Sequence, residues 1–164
     1  LDAGDILHQK SINIGNDIYS DDLTVALTSL GRKTMLEVLP KIFDNKTILN
    51  KQDEDKATYA NKFTSADRKI NFNKSIDEVY NHIRAHGPKP GSWFVYRGER
   101  IKILRAVKKK NKGQQSTILN NKFMLACSDG SILPTLIQRE GKKAVEVNDF
   151  IQGFAFTVND KINE

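Results

Sequence analysis

The chain of 164 residues is poor in the residues that build covalent frameworks and metal centres: it has one cysteine, three histidines, one tryptophan and four prolines. A lone Cys127 excludes an internal disulfide, which agrees with a reducing compartment, and its setting between Leu125, Ala126 and Ser128 marks it as a core filler. No apolar run approaches the roughly 18 residues needed to span a bilayer, and no basic start with an apolar stretch behind it suggests a signal peptide. The sequence also lacks a glycine-rich phosphate loop, since Gly98 and Gly130 read only as turn residues. His82 and His86 stand four apart and share a helix face, but no glutamate or cysteine partner accompanies them, so they are read as ordinary histidines rather than metal ligands. Acidic residues are in deficit, with 26 Lys and Arg against 20 Asp and Glu and a formal net charge of +6. With 38% hydrophobic residues the chain suffices for a real core.

The excess positive charge is clustered. From Arg84 to Lys112 run Arg84, Lys89, Arg97, Arg100, Lys102, Arg105, Lys108, Lys109, Lys110 and Lys112, opposed only by Glu99. Such a block attracts phosphates and releases their counterions on contact, so a polyanionic partner is expected. General basicity of a Lys-rich and Asn-rich composition is the plainer account, and for any single lysine a solvated role is the default.

Ile6, Ile12 and Ile14 fall on one parity, which predicts a strand over 6–14 closed by Gly15-Asn16-Asp17. Ser20, Asp21 and Asp22 are caps for a following helix in which Leu23, Leu27, Leu30, Leu36, Leu39 and Phe43 recur at helical spacing. Residues 45 to 74 carry few large apolar groups and no period, which reads as a linker. Ser75 is expected to cap a second helix with an Ile76, Val79, Tyr80 and Ile83 stripe, broken at Gly87-Pro88. Beyond Gly91 the pattern becomes short strands: 93–96, 101–107, 116–119, 122–126 and 132–138, with turns at Arg97-Gly98-Glu99, Asn120-Asn121 and Asp129-Gly130. Five such strands suggest a small closed barrel of oligonucleotide-binding type. Residues 145–154 are expected to form a short terminal helix, and Trp93 reads as core rather than a stacking platform.

Several motifs carry a resemblance. Asp53 to Trp93 contains Ala57-Thr58-Tyr59-Ala60-Asn61-Lys62, then Lys69-Ile70-Asn71-Phe72, Ile83-Arg84-Ala85 and Pro88-Lys89-Pro90-Gly91-Ser92-Trp93. The chain opens Leu1-Asp2-Ala3-Gly4-Asp5-Ile6-Leu7, and late in it stands Gly141-Lys142-Lys143-Ala144 through Asp149-Phe150. In order and most of its spacing this series resembles methionyl-tRNA formyltransferase. Lys89 and Phe72 stand where the family has Trp, and Lys69 where it has Arg, which alters local packing but keeps the Pro-x-Pro-Gly backbone.

The resemblance implies an α+β chain: residues 1–45 as the closing strand and helix of a Rossmann-like formyl-transfer domain, 46–74 as a linker, and 75–164 as a five-stranded barrel that binds tRNA. It implies 10-formyltetrahydrofolate as donor, initiator methionyl-tRNA as acceptor, and Asp2 as a catalytic carboxylate that relays the proton lost by the attacking amine. Outside the resemblance, an Asp before Ala-Gly is an ordinary turn residue. The family's Asn-x-His and Ser-Leu-Leu-Pro segments are not in this sequence, and Leu1 opens into strand-like texture, so the catalytic fold is entered part-way. The 164-residue polypeptide alone is therefore expected to bind tRNA without transferring formyl groups. Candidate RNA contacts are Lys62, Arg84, Lys89, Arg105, Lys108, Lys109, Lys110, Lys112, Lys142 and Lys143. A monomer in the cytoplasm or an organellar matrix is expected, with no metal and no membrane. The rivals are an amino-sugar or other folate-dependent formyltransferase, and a nonenzymatic RNA-binding barrel.

Overall fold

The computed structural model describes residues 3–163. The chain divides into two compact units, one of residues 1–18 and 22–62 and another of 19–21 and 63–164. Among the described residues, no helix is long and apolar enough to cross a membrane.

In the first unit the helical spacing yields α1, Ser20–Phe43, whose initial residues cluster with the second unit. Pro40 sits in its last turn. The strand expected over 6–14 does not form: Ile6 makes an isolated antiparallel bridge to Asn50, with amide-to-carbonyl bonds of 2.8 and 3.0 Å. A strand needs a neighbour along its length, and Ile6–Ile14 has none here. The α1 residues of this unit bury little. Val38 is its buried apolar side chain, whereas Val25, Leu36 and Phe43 are 71%, 67% and 80% exposed.

The second unit carries the core. α2, Ile76–His86, begins with a full capping box: the Ser75 hydroxyl accepts from the Glu78 amide, and the Glu78 carboxylate accepts from the Ser75 amide. The Ser75 hydroxyl, followed by the Lys74 ammonium, holds the Glu78 carboxyl far down, at about 2. Val79, Tyr80 and Ile83 face inward as the stripe demands.

The sheet is antiparallel and consists of β1, Ser92–Tyr96; β2, Glu99–Lys109; β3, Leu125–Ala126; β4, Ser131–Arg139; and β5, Ala144–Glu146. Its order is β1-β2-β4-β3, and β5 also pairs with β4. α3, Val147–Gly153, follows directly. The α+β class holds, but the expected closed barrel does not. Among the described residues no ladder joins β1 to β3, so the sheet remains open. Segment 116–119 contributes only single bridges, Thr117 to Lys161 and Ile118 to Leu125, and 122–126 shrinks to the two residues of β3. Residues 144–146 pair as a strand before the helix begins, two residues later than the sequence suggests.

Register explains what points outward. Ile101 and Ile103 are fully buried while Arg100 and Lys102 lie on the opposite parity. A register shift between Ile103 and Ala106 then lets Leu104 and Ala106 bury as well. The β1–β2 turn places Arg97 at φ +49° and Gly98 at +76°, the left-handed pair a tight hairpin needs. Phe123, also left-handed at φ +60°, is fully buried and ringed by Phe94, Tyr96, Phe150, Phe154 and Phe156.

Candidate nucleic-acid interface

The clustered cations sort themselves by partner. Arg105 is committed inside the second unit: its guanidinium bonds Asp21 at 2.5 Å and lies 4.1 Å from the centre of the Tyr19 ring. The Tyr19 hydroxyl accepts from the Ala106 amide at 2.9 Å and donates to the Ala106 carbonyl at 3.2 Å. Arg84 donates to the Asn81 side chain and sits 5.8 Å from the Tyr80 ring. Lys108 pairs with Asp77 at 2.7 Å and lies 5.3 Å from the other part of the same aromatic cluster, Tyr80. Arg105 thus ties β2 to the Tyr19–Asp21 segment, Lys108 ties β2 to α2, and Arg84 stays bound within α2, so each of the three has a structural partner.

Past Lys108 the strand runs out into Lys109, Lys110 and Lys112, all exposed. With Lys108 they line a groove of about 420 Å³ whose floor is Ile76 and Gly130. Both carboxylates in it are already engaged. Asp77 holds Lys108, and Asp129 accepts from the Ile76 amide at 2.7 Å, an additional cap for α2. Lys109, Lys110 and Lys112 have no ion pair among the described residues, and their uncompensated charge is what a phosphate chain would meet.

A side chain at Gly130 would crowd this floor. A Cβ there would stand 3.0 Å from the Ile76 side chain and 3.0 Å from the Lys109 carbonyl.

The remaining candidates are dispersed. Lys62 is exposed in the first unit, and Lys89 is exposed between Pro88 and Pro90. Lys142 and Lys143 are exposed at the turn joining β4 to β5, where the Lys142 carbonyl accepts from the Gln138 amide group at 2.7 Å. Asp2 lies outside the described residues.

A second cationic site was not singled out from the sequence. Arg68, Arg100 and Lys102 line a pocket of about 270 Å³ with Trp93 as one wall. Trp93 is 8% exposed, its ring nitrogen donates to the Ser65 carbonyl at 2.9 Å, and Arg100 lies 4.2 Å from its ring centre. Trp93 is thus core with a cation laid over it, as the sequence suggests. Arg68 comes from a segment read as linker. Arg100 and Lys102 already belong to the positive block, and their alternation with Ile101 and Ile103 was the further signal that they face outward together.

The His82 and His86 rings lie with centres 4.7 Å apart and planes tilted by 54°, and the His86 Nδ1 lies 3.0 Å from the His82 carbonyl. Burial pushes the His82 imidazole below its ordinary value. Among the described residues no cluster of three or more His, Cys, Asp or Glu side chains is placed to hold a metal.

An open antiparallel sheet flanked by helices and carrying two cation-lined depressions defines an α+β domain. Residues 62–155 match the family described as "Formyl transferase, C-terminal domain", and the chain belongs to that family. It is 37% identical over 169 residues to a methionyl-tRNA formyltransferase of Lactobacillus johnsonii, covering 99% of this chain and 54% of that protein. It is 36% identical to the enzyme of the same name from Rickettsia prowazekii, over 93% and 50% of the two chains. The chain therefore spans about half the length of the curated relatives it matches. Among solved structures, HypX from Aquifex aeolicus superposes with a TM-score of 0.73 at 16% identity, over 92% of this chain and 28% of that one. WlaRD, a sugar 3N-formyl transferase, superposes with a TM-score of 0.63 at 22% identity, over 87% and 52%. These two likenesses establish a shared fold.

Proposed function

We propose that this chain is the RNA-holding portion of a methionyl-tRNA formyltransferase. The observation that carries the reading is the groove in which Lys109, Lys110 and Lys112 stand uncompensated around an apolar floor. A small sugar nucleotide offers few phosphates to such a rim, whereas a tRNA backbone offers many. In this reading 10-formyltetrahydrofolate is the donor. The free amine of methionine, esterified to initiator tRNA, attacks the formyl carbon; the new C–N bond forms as the bond to the folate nitrogen breaks. Asp2 relays the proton lost by the amine, which ends on the departing folate nitrogen. The open sheet serves as an oligonucleotide-type platform over 75–164, residues 46–74 link it, and α1 is the closing helix of a Rossmann-like catalytic domain over 1–45. The exposed apolar side chains of α1, Val25, Leu36 and Phe43, are what such a helix presents to a sheet. Phosphate contacts orient the acceptor end toward the catalytic carboxylate, turning an encounter into a positioned reaction.

The test is binding of initiator methionyl-tRNA to the 164-residue chain across a salt series. Affinity that falls steeply with salt is expected. Absence of binding, or affinity indifferent to salt, removes the reading in favour of a small-substrate formyltransferase.

A further inference from the structure

We infer that the pocket between Arg68, Arg100 and Lys102 is a second phosphate subsite, receiving an RNA backbone phosphodiester; the inference rests on the RNA-holding function proposed above. The pocket lies on the outer face of the sheet, where Trp93 of β1 and Gln138 of β4 pair across Lys102 of β2. Its charges are unequal in their freedom. Arg139 is held by a bidentate pair with Glu99, at 2.7 and 2.9 Å, and is unavailable. Arg100 meets Glu140 only at 3.9 Å, and Glu140 is exposed. Arg68 has a single long bond, 3.4 Å, to the Thr64 carbonyl. The Lys102 side chain has no ion pair or hydrogen bond among the described residues. Three cations thus converge on one recess against a single opposing carboxylate that is weakly engaged. The indole wall keeps Arg100 in place by its ring face, so the guanidinium edge remains turned to an anion. The site stands at the opposite end of β2 from the lysine groove. Counting Lys102 to Lys109 at about 3.3 Å per residue, the two sites are roughly 23 Å apart along the strand, which a backbone chain spans and a single small anion does not.

Trp93 is the chain's single tryptophan, so its emission reports on this pocket alone. Titration of the chain with an unstructured oligouridylate, and separately with inorganic pyrophosphate, is followed by Trp93 emission, while anisotropy of end-labelled RNA follows total binding. RNA is expected to change Trp93 emission saturably. Lys102→Gln should weaken the response about fivefold and reduce the salt slope of binding by about 0.7, the value for one single-strand phosphate contact. Glu140→Gln, which removes the opposing carboxylate from an exposed site, should tighten it about twofold, a gain that loss of folding cannot imitate. RNA bound by anisotropy with Trp93 emission silent, or unchanged by Lys102→Gln and Glu140→Gln, overturns the subsite and leaves the RNA-holding function standing. A Trp93 response to pyrophosphate with no RNA bound anywhere overturns both and leaves only an anion pocket.

Discussion

Changing Lys109, Lys110 and Lys112 together to Gln separates charges that face solvent from charges that hold the fold. The lysine rim has no carboxylate of its own to answer to, because Asp77 is taken by Lys108 and Asp129 by the α2 amide. If each lysine meets one phosphate, each accounts for about 0.9 of the logarithmic salt slope on duplex RNA-like backbone, or about eightfold in affinity at 0.1 M salt. That is about 1.2 kcal/mol per lysine, with a ceiling near 500-fold for the set; mobile side chains that share contacts would give a few tens of fold. The control is Arg105→Gln. Its side chain is 27% exposed, and its guanidinium pairs with Asp21 and packs on Tyr19, so its loss should cost about 1–2 kcal/mol of stability. A unit of about 100 residues then melts some 4–16 °C lower, with the salt slope of tRNA binding little changed. Binding isotherms between about 50 and about 200 mM salt and a thermal melt of each variant give the readout. A rim of free charges is refuted if Arg105→Gln flattens the salt dependence as much as the lysine set does, or if the lysine set leaves it untouched.

Acidification should destabilise the second unit through His82. Burial depresses the His82 pKa in the folded state, so the unfolded chain binds the extra proton first. Stability is then complete above the ordinary value of about 6.5 and declines as pH falls below it, and the urea midpoint at about pH 5.5 should lie below that at about pH 7.5. His82→Gln should flatten that difference, and an undiminished pH effect in the variant would assign it elsewhere. Phe123→Leu should cost about 2–3 kcal/mol, since the surrounding aromatic edges lose their partner while the left-handed backbone gains no relief; a chemical-denaturation midpoint unchanged within error would contradict the core described. Burial, assisted by Asp129, pushes the Cys127 thiol up to about 12. A disulfide reagent at neutral pH should therefore leave the native chain unlabelled and react at once in denaturant; rapid native labelling would show the core open at β3.

What the sequence disclosed followed from local chemistry. Ser75 with Glu78 three residues on announces a capped helix, and Ile76, Val79, Tyr80 and Ile83 give its buried side. Gly98 likewise announces a tight turn, because glycine takes a positive φ without steric cost, whereas nothing in Arg97 foretells the positive φ it adopts. Non-local pairing was illegible. Ile6 to Ile14 has a strand's parity but no neighbour to bond, and Ile118 finds its contacts across the chain, from the Asp160 carbonyl and from Leu125. Phe123 takes the left-handed turn that Asn120-Asn121 seemed placed to supply, and only the aromatic cage around it explains why. The linker texture of 45–74 concealed Ile70 and Phe72, which are 1% and 0% exposed. At the candidate site, a run of positive residues could not say which were already spoken for: Arg105 and Lys108 find acids, Lys109 to Lys112 do not, and Arg68 joins Lys102 only in three dimensions.

The groove by α2 combines a stiff base with loose walls. Ile76 is pinned by the Asp129 side chain and Gly130 is backed directly by the Lys109 carbonyl, while the cations around them sit on long unbranched tethers. Such a cradle adjusts to wherever a phosphate happens to fall and asks nothing about the base attached to it. Under the proposed RNA-holding function it would accept most folded RNAs of suitable curvature, and any discrimination among them would fall to a different surface.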